Sequence, residues 1–406
     1  MQQNIKLEVI KMKVPQLDLT TQYQSIKKEI DSSIEAVLES GIVINGENVK
    51  KIENTLAKYS NTKYGVGVAN GSDAIYIALK ALGIRRGDSV ISPTFTFFAT
   101  AGSIVRAEAT PIFIDIDSQT FNLDSTKLRE FIETNCDFDT KTSQLVNRQT
   151  GQPIKAIIPV HLYGQMCKMD EIMDIARKYN LKVVEDCAQS IGSEYKGKKS
   201  GSYGDLSTFS FFPTKNLSTY GDGGMIVTSS EEYAEYCMIF RSHGSKPKYY
   251  HRFIGINSRL DEIHAAILNI KFKLLDKWLE DRFQAACRYQ KLFEKYKLLD
   301  KMRLPVKDIH NIKYHKEHTF HQYMIFVEGR NNLQEYLKEN EIGTNIYYPL
   351  CLHLQDCFKY LGYKEGDFPI AEEASKKVLA IPMYPELVEE QQKYVVSKIA
   401  EFYDKK

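Results

Sequence analysis

Short apolar runs alternate with longer amphipathic segments along the first two thirds of the chain. Within Met169–Tyr179 the apolar side chains recur at helical spacing, with Asp170 as a candidate cap near the start and Asn180 near the end. A strand, a helix and a strand in this order form a β-α-β unit, and several such units predict a largely parallel sheet covered by helices. The predicted buried strands are Ser89–Ile91, Pro111–Ile116, Ala156–Val160 and Lys182–Glu185.

The pattern changes near residue 262. A long amphipathic helical stretch, Ile263–Tyr296, leads into a region with fewer buried strands that ends in a predicted helix at Glu386–Tyr403. We therefore expect a large domain over residues 1–262, including an N-terminal segment, and a connecting helix with a smaller α+β domain over residues 263–406. The polar segment 135–153 lacks periodicity and indicates a surface excursion between a helix and the strand at Ala156.

The composition is that of a globular protein with a sizeable core, since 43% of the 406 residues are hydrophobic and 26% are charged. Lys and Arg exceed Asp and Glu by only 54 − 52 = 2 residues, which gives no electrostatic reason to expect nucleic acid or an anionic membrane as a partner. No run of 18 apolar residues is present, and charged residues interrupt the first twenty. Neither a membrane span nor a signal peptide is therefore expected, and we expect a cytoplasmic protein.

The cysteines and histidines do not indicate a metal site. Seven scattered cysteines without a Cys-x-x-Cys pair are typical of reduced thiols. Structural zinc usually uses cysteines in closely spaced pairs among its ligands. We therefore interpret the one local group of histidines as strand-edge or surface residues; its members are His310, His315, His318 and His321.

The sharpest chemical signal is Ser210–Lys215, which reads Ser-Phe-Phe-Pro-Thr-Lys and is followed by Gly221–Gly224. Most lysines are solvated surface charges. Here, however, the preceding aromatic residues and Pro213 create an apolar setting, which lowers the pKa of an ammonium group. A neutral amine can attack a carbonyl carbon to form a Schiff base, so Lys215 is a candidate catalytic residue.

Two further segments indicate ligand contacts. Asp186 ends a predicted strand at the edge where open α/β sheets bind ligands, and it can either pair with a cationic ring nitrogen or cap a helix. Gly71 and Ser72 open a predicted helix that runs to Leu82, where free amide groups favour a phosphate; a simply capped helix is the alternative. Neither a P-loop nor a dinucleotide fingerprint is present. A phosphate, a cationic ring nitrogen and an aldehyde for a lysine occur together in pyridoxal 5′-phosphate (PLP).

These segments also carry a family resemblance that spans Val14 to Tyr403. The chain resembles the DegT/DnrJ/StrS family of PLP-dependent aminotransferases, which act on nucleotide-linked keto sugars. The motifs that carry the resemblance are Asn70–Ala74, Pro93–Phe97, Pro159–Gly164, Glu185–Asp186, Ser210–Lys215, Asn257–Glu262 and Ala380–Pro385.

The resemblance implies an α/β protein with the type I aminotransferase fold, a mostly parallel mixed sheet in the large domain, and a homodimer with active sites shared between subunits. Lys215 corresponds to the residue that bonds to the cofactor aldehyde, and Asp186 to the partner of the ring nitrogen. The other cofactor contacts implied are Gly71, Ser72 and Ser210 at the phosphate, Phe97 stacked on the ring, Gln189 beside the ring hydroxyl, and Asn257 reaching the phosphate from the other subunit. The implied substrate contacts are Arg259, across the interface, and the loop residues Tyr347 and Tyr348.

The function implied is transfer of an amino group from L-glutamate to C3 of a UDP-linked 2-acetamido-3-keto hexose or hexuronate, for surface glycan or lipopolysaccharide synthesis. The residues at Ile44–Asn48 and Tyr347–Pro349 depart from the common family pattern, which bears on the identity of the sugar. Alternatives are a dTDP-3-keto-6-deoxyhexose or a 4-keto sugar as acceptor, and a regulatory protein with a PLP fold. A nucleotide-dependent dehydrogenase is disfavoured because the glycine fingerprint is missing.

Overall fold

The computed structural model describes residues 12–307, 309 and 316–404, and a nine-stranded sheet forms its centre. Seven of the strands follow the order β1-β11-β10-β7-β6-β2-β3, and a hairpin of β4 and β5 pairs with β6. The strands of this sheet are β1 (Tyr64–Val68), β2 (Ser89–Pro93), β3 (Thr110–Ile114), β4 (Cys136–Asp139), β5 (Gln144–Asn147), β6 (Pro153–Ile157), β7 (Lys182–Asp186), β10 (Leu206–Ser210) and β11 (Gly224–Thr228).

Helices cover both faces of this sheet because its strands carry apolar side chains on both faces. Val90 and Val184 pack into one core, whereas their chain neighbours Ile91 and Val183 pack into another on the opposite face. This alternation follows from the two-residue period of a strand. The helices are α1 (Leu19–Ser25), α2 (Lys27–Ser40), α3 (Glu47–Tyr59), α4 (Gly71–Ala81), α5 (Ala99–Arg106), α6 (Ser125–Asn135), α7 (Met169–Lys178), α8 (Glu231–Phe240), α9 (Glu262–Phe272), α10 (Leu275–Lys295), α11 (Arg330–Glu339), α12 (Pro369–Lys377) and α13 (Glu389–Asp404).

A second, antiparallel sheet lies in the C-terminal part, with the order β12-β13-β14. Residues of α10, α11 and α13 bury its apolar side chains, and Val14 from the N-terminal segment joins the same core. The proposed boundary near residue 262 stays a prediction. The remaining strands are β8 (Glu194–Tyr195) and β9 (Lys198–Lys199), which form a small ribbon, and β12 (Met302–Arg303), β13 (Tyr323–Val327) and β14 (Val378–Ile381).

The predicted β-α-β unit is confirmed, with helix α7 between strands β6 and β7. Two local predictions are wrong. Asp170 does not cap α7, because the helix already begins at Met169, and its carboxylate accepts hydrogen bonds from Tyr195 and Lys196 instead. The predicted helical stretch 263–296 is two helices that break at Lys273–Leu274.

The segment 135–153 is not irregular. It forms the β4–β5 hairpin, whose second strand pairs with β6 and extends the sheet. Buried side chains in it are few and polar residues separate them, so no strand period is visible in the sequence. In the described part of the chain, no helix is long and apolar enough to cross a membrane. All seven cysteines are free thiols.

Candidate active site

The connections that follow five strands meet at one edge of the central sheet. Strands β10, β7, β6 and β2 run parallel to one another, and β1 points the same way because both β1 and β10 pair antiparallel with β11. Their carboxyl ends therefore lie side by side, as at the ligand-binding edge of other open α/β sheets. This edge collects the segments 69–72, 94–97, 158–163, 186–189 and 210–215.

Lys215 lies in a tight turn after β10. Its amide donates to the carbonyl of Phe212 (2.8 Å), and the amide of Phe211 donates to the carbonyl of Gly223 (2.8 Å), which fixes the start of the loop. Burial desolvates the ammonium group and lowers the pKa of Lys215 to about 8, although the nearby charge of Asp186 acts in the opposite direction. Near neutral pH Lys215 therefore holds a larger neutral fraction than an exposed lysine does, and the neutral form is the one that acts as a nucleophile.

Asp186 is the last residue of β7 and is buried. Its carboxylate accepts hydrogen bonds from the hydroxyl of Thr100 (2.9 Å) and from the amide of Ala188 (3.1 Å). Burial raises the pKa of Asp186, opposed by these hydrogen bonds and by the charges of Lys215 and His161. Among the described residues no lysine or arginine forms an ion pair with it, and no helix begins at this position, so the helix-cap alternative does not hold.

The N-terminus of α4 lies against the end of β10. Gly71 is the first helical residue, and a Cβ built there would lie 2.8 Å from Cβ of Ser210, so only glycine fits without a shift. The side chain of Asn70 accepts the amide of Asp73 (2.8 Å) and caps the helix. The amides of Gly71 and Ser72 lie in the first turn, where no carbonyl of the helix can accept them. The two free amides, together with the neighbouring serines Ser72 and Ser210, form a place where an anion can bind.

A group of aromatic residues lies beside these polar ones. The side-chain amide of Gln189 contacts two of them. Its Nε2 donates to the hydroxyl of Tyr348 (3.1 Å), and its Oε1 accepts the backbone amide of Tyr163 (2.6 Å). The rings of Phe97 and Tyr348 lie 6.1 Å apart, and Phe97 is 57% exposed. The hydroxyl of Tyr163 donates to the carbonyl of Tyr347. The structure thus brings these predicted residues together, while their roles toward cofactor and sugar stay predictions.

Asn257 and Arg259 follow a loop after α8. Ser258, between them, is buried and accepts the amide of Ala69 through its hydroxyl (3.1 Å), which ties this segment to the end of β1. Asn257 is exposed. The buried Nε of Arg259 has no hydrogen-bond partner among the residues that the structure describes. Their predicted action in the site of a second subunit stays a prediction.

Several residues that hold this site together carry no recognisable signal in the amino-acid sequence. Thr100 lies on α5 and has no local motif, so its contact with Asp186 is visible only in three dimensions. His161 and Glu185 belong to the motifs Pro159–Gly164 and Glu185–Asp186, but neither motif indicates a role for these two side chains. Of the predicted histidine group, His310 and His315 lie outside the described residues. His318 and His321 are buried rather than exposed, and burial lowers the pKa of His318 to about 3.

The chain's own groups fit PLP. Lys215 offers an amine with a lowered pKa, and Asp186 offers a buried carboxylate that already has hydroxyl and amide donors but no side-chain cation among the described residues. Gly71 packs so closely on Ser210 that a side chain there would fill the position beside the helix start. An aldehyde, a pyridinium nitrogen and a phosphate are the three groups that these residues match.

Comparison with known proteins supports the family resemblance that the sequence motifs indicate. The model of the DegT/DnrJ/EryC1/StrS aminotransferase family matches residues 24–400. The chain is 51% identical to the "Pleiotropic regulatory protein" of Geobacillus stearothermophilus over 97% of this chain and 99% of that one. It is 39% identical to the UDP-N-acetyl-3-dehydro-alpha-D-glucosamine 3-aminotransferase of Acidithiobacillus ferrooxidans, over 93% and 95% of the two chains. It is 38% identical to the dTDP-3-amino-3,6-dideoxy-alpha-D-galactopyranose transaminase of Aneurinibacillus thermoaerophilus, over 95% and 98%.

The fold agrees as well. DesV of Streptomyces venezuelae, solved in complex with a ketimine intermediate, superimposes with a TM-score of 0.87 at 33% identity, covering 96% of this chain and 98% of that one. Both the type I aminotransferase fold and the cofactor expected from the sequence are confirmed. The chain therefore belongs to the DegT/DnrJ/EryC1/StrS aminotransferase family and is a PLP-dependent sugar aminotransferase.

Proposed function

We propose that the protein transfers the amino group of L-glutamate to the C3 keto carbon of a UDP-linked 2-acetamido-3-keto hexose or hexuronate, for surface glycan or lipopolysaccharide synthesis. The observation that carries the transamination is that Lys215, a desolvated amine, and the buried carboxylate of Asp186 lie at the same sheet edge, close enough for each charge to shift the pKa of the other. The choice of C3 is supported by the similarity to the 3-aminotransferase of Acidithiobacillus ferrooxidans, which extends over nearly the whole chain.

In this proposal the chain's residues divide the work. Bound PLP supplies an aldehyde that takes up the amino group and a ring that withdraws electrons from the reacting carbon. Lys215 Nζ would bond to the aldehyde carbon of PLP between turnovers, and its freed amine would move a proton from the α-carbon of the amino acid to that cofactor carbon. Asp186 would hold the ring nitrogen in its protonated form through a charge-assisted hydrogen bond. The start of α4, with Ser72 and Ser210, binds the phosphate.

The aromatic residues and the second subunit complete the proposed site. Phe97 would stack on the cofactor ring, and Gln189 would contact its hydroxyl. Tyr347, Tyr348 and Arg259 contact the sugar nucleotide, with Arg259 and the phosphate contact Asn257 contributed by the other subunit of a homodimer. An arginine suits a diphosphate because its guanidinium group donates several hydrogen bonds and stays charged.

Two other functions are supported by particular relatives. The similarity at 38% to a dTDP-sugar transaminase supports a dTDP-linked 3-keto-6-deoxyhexose as the alternative acceptor. A 4-keto sugar is a further alternative that rests on the family resemblance alone. The similarity at 51% to a protein named as a pleiotropic regulator supports a regulatory role. The desolvated Lys215 near Asp186 favours catalysis. A desolvated amine and a buried carboxylate make the fold less stable than apolar side chains at the same two positions would, and a purely regulatory protein has no need of these groups.

The test is the absorbance spectrum of the purified protein with PLP, before and after L-glutamate. We expect a visible band that L-glutamate moves into the near ultraviolet, and that 3-keto UDP-sugar then restores. Lys215→Ala is the control and should lose both the band and the turnover. Assaying UDP-linked 3-keto, dTDP-linked 3-keto and 4-keto acceptors side by side identifies the substrate, and amination of the 4-keto compound alone would overturn the C3 assignment. Wild-type turnover in Lys215→Ala would overturn the mechanism.

A further inference from the structure

Two fully buried titratable side chains adjoin Asp186 and have no role in the proposed chemistry. Glu185 precedes Asp186 on β7, and His161 follows β6 on the neighbouring strand connection. Both are 0% exposed, and His161 Nε2 lies 3.0 Å from a carboxylate oxygen of Glu185. Burying a carboxylate is costly unless hydrogen bonds replace its water, so the contacts of Glu185 show what its charge stabilises.

Glu185 accepts a hydrogen bond at every available position. Besides His161, its donors are three backbone amides and one hydroxyl from the segment that leads into β10, and these interactions lower the pKa of Glu185 although burial opposes them. The distances are 3.2 Å from the amide of Gly201, 2.7 Å from that of Tyr203, 2.8 Å from that of Gly204 and 2.9 Å from the hydroxyl of Ser207. One carboxylate therefore joins β7 to the chain segment that enters β10.

His161 extends the same connection to the strand on the other side. Its Nδ1 accepts the amide of Cys167 (3.2 Å), so both ring nitrogens are engaged. Its own amide donates to the carbonyl of Asp186 (3.1 Å), and the amide of Asp186 donates to the carbonyl of Pro159 (2.9 Å). Both backbone groups of Asp186 are thus held by the segment that carries His161, and the direction of its carboxylate depends on that segment.

These atoms resemble a metal site only by proximity. His161, Glu185 and Cys187 each offer a ligand atom within 4.8 Å of the others. A metal needs free lone pairs, but Glu185 already accepts five hydrogen bonds and His161 uses both nitrogens. The hydrogen bonds therefore favour a structural link over a metal centre.

We propose that Glu185 and His161 are a positioning pair that sets the direction in which Asp186 presents its carboxylate to the cofactor ring. The proposal rests on the role proposed above for Asp186. Because the same segment places the amide of Tyr163 on Gln189 (2.6 Å), loss of the pair also disturbs the second predicted ring contact. The pair acts through Asp186 and Gln189 and does not itself touch the reacting atoms.

The experiment compares Glu185→Gln, His161→Gln and their double variant with Ser207→Ala, which removes one hydrogen bond from Glu185 but leaves the pair intact. The measurements are the thermal midpoint of the apoenzyme, the dissociation constant of PLP from titration of the visible band, and the rate and half-saturating L-glutamate concentration of the first half-reaction. In Glu185→Gln the new side chain has nearly the same volume as the glutamate. Its amide nitrogen, however, faces donors that need an acceptor, so part of the hydrogen-bond network around position 185 is lost.

We expect each single variant to weaken PLP binding about tenfold and to slow the half-reaction at least tenfold, with the half-saturating glutamate concentration changed less than about threefold. The double variant should lose no more PLP affinity and no more rate than the more strongly affected single variant, because the two side chains act as a unit. Ser207→Ala should stay within about twofold of wild type. If Glu185→Gln does not fold, His161→Gln carries the test, since it leaves four donors on Glu185.

Wild-type PLP affinity and rate in a folded His161→Gln, or additive losses in the double variant, would overturn the positioning role. A general loss of apoenzyme stability that is equal in Ser207→Ala would also overturn it. Failure of the proposed function is distinguishable, because then the wild-type protein itself would show neither the visible band nor its response to L-glutamate.

Discussion

At the scale of single residues, Lys215 and Asp186 depend on each other. Burial lowers the pKa of Lys215 to about 8, and the charge of Asp186 limits how far it falls. The neutral amine is the nucleophile, and its fraction rises as pH rises through the pKa. An exposed lysine, with a pKa near 10.4, would remain almost fully charged at pH values around 8.

We predict that the rate at which apoenzyme forms the visible band with PLP increases with pH and levels off above about 8, following the pKa of Lys215. Asp186→Asn removes the negative charge that favours the ammonium form, so the midpoint should move to lower pH. The measurement is stopped-flow absorbance between pH 6 and 10. Lys271→Met, at a buried lysine on α9, is the control that leaves the midpoint in place. A midpoint near 10 in the wild-type protein would contradict the assigned desolvation.

At the scale of elements, a distant carboxylate caps helix α3. Glu262 begins α9 and is buried, and its side chain accepts the amides of Gly46 (3.0 Å), Asn48 (2.5 Å) and Val49 (3.2 Å) at the start of α3. A Cβ added at Gly46 would lie 2.7 Å from the carboxyl carbon of Glu262, so a side chain there would displace this carboxylate. The first amides of a helix need such acceptors, and a negative charge also suits the positive end of the helix dipole.

We predict that Glu262→Gln lowers the free energy of unfolding by about 2 kcal/mol, because hydrogen bonds to a charged group are lost and one amide group faces donors. Asp261→Asn is the matched control. Its side chain is 57% exposed and makes no capping hydrogen bond, so the change should stay below about 0.5 kcal/mol. Urea denaturation at one protein concentration measures both, and equal losses in the two variants would contradict the capping role.

At the scale of the whole molecule, apolar side chains on the surface support the proposed homodimer. Ile254 is 96% exposed and Tyr249 80%, both in the loop that leads to Asn257 and Arg259. Ile42 and Val43 are exposed as well, and the carbonyl of Val43 accepts the amide of Glu262 in the next element after Arg259. Exposed apolar groups of this kind mark interfaces, and here they adjoin the residues proposed to act across one.

We predict that mixing inactive Lys215→Ala subunits with weakened Arg259→Ala subunits restores activity. A hybrid dimer would hold one site with Lys215 from one chain and Arg259 from the other, so random reassortment should recover about a quarter of wild-type activity. The measurement is turnover after the two variants are co-unfolded and refolded, or co-expressed. Each variant treated alone is the control. No recovery in a sample shown to contain hybrid dimers would place Arg259 in the site of its own chain.

The β-α-β alternation, the aminotransferase class and the family could all be predicted from the amino-acid sequence, which also indicated Lys215 and Asp186 as the candidate catalytic residues. These follow from local information: apolar periodicity, the apolar residues before Lys215, and motifs of adjacent residues. Local information does not predict the β4–β5 hairpin, because β5 is a strand through its pairing with β6 and not through an apolar pattern of its own. It also does not predict the break between α9 and α10.

The long-range contacts that hold the site and the helices in place are visible only in the folded chain. The contact of Thr100 with Asp186 joins residues 86 positions apart, and that of Glu262 with Asn48 joins residues 214 apart. Such contacts leave no periodic signal, because they depend on which strands become neighbours in the sheet. The desolvation that lowers the pKa of Lys215 is likewise a property of the packed interior, and so is the hydrogen-bonded pair of Glu185 and His161.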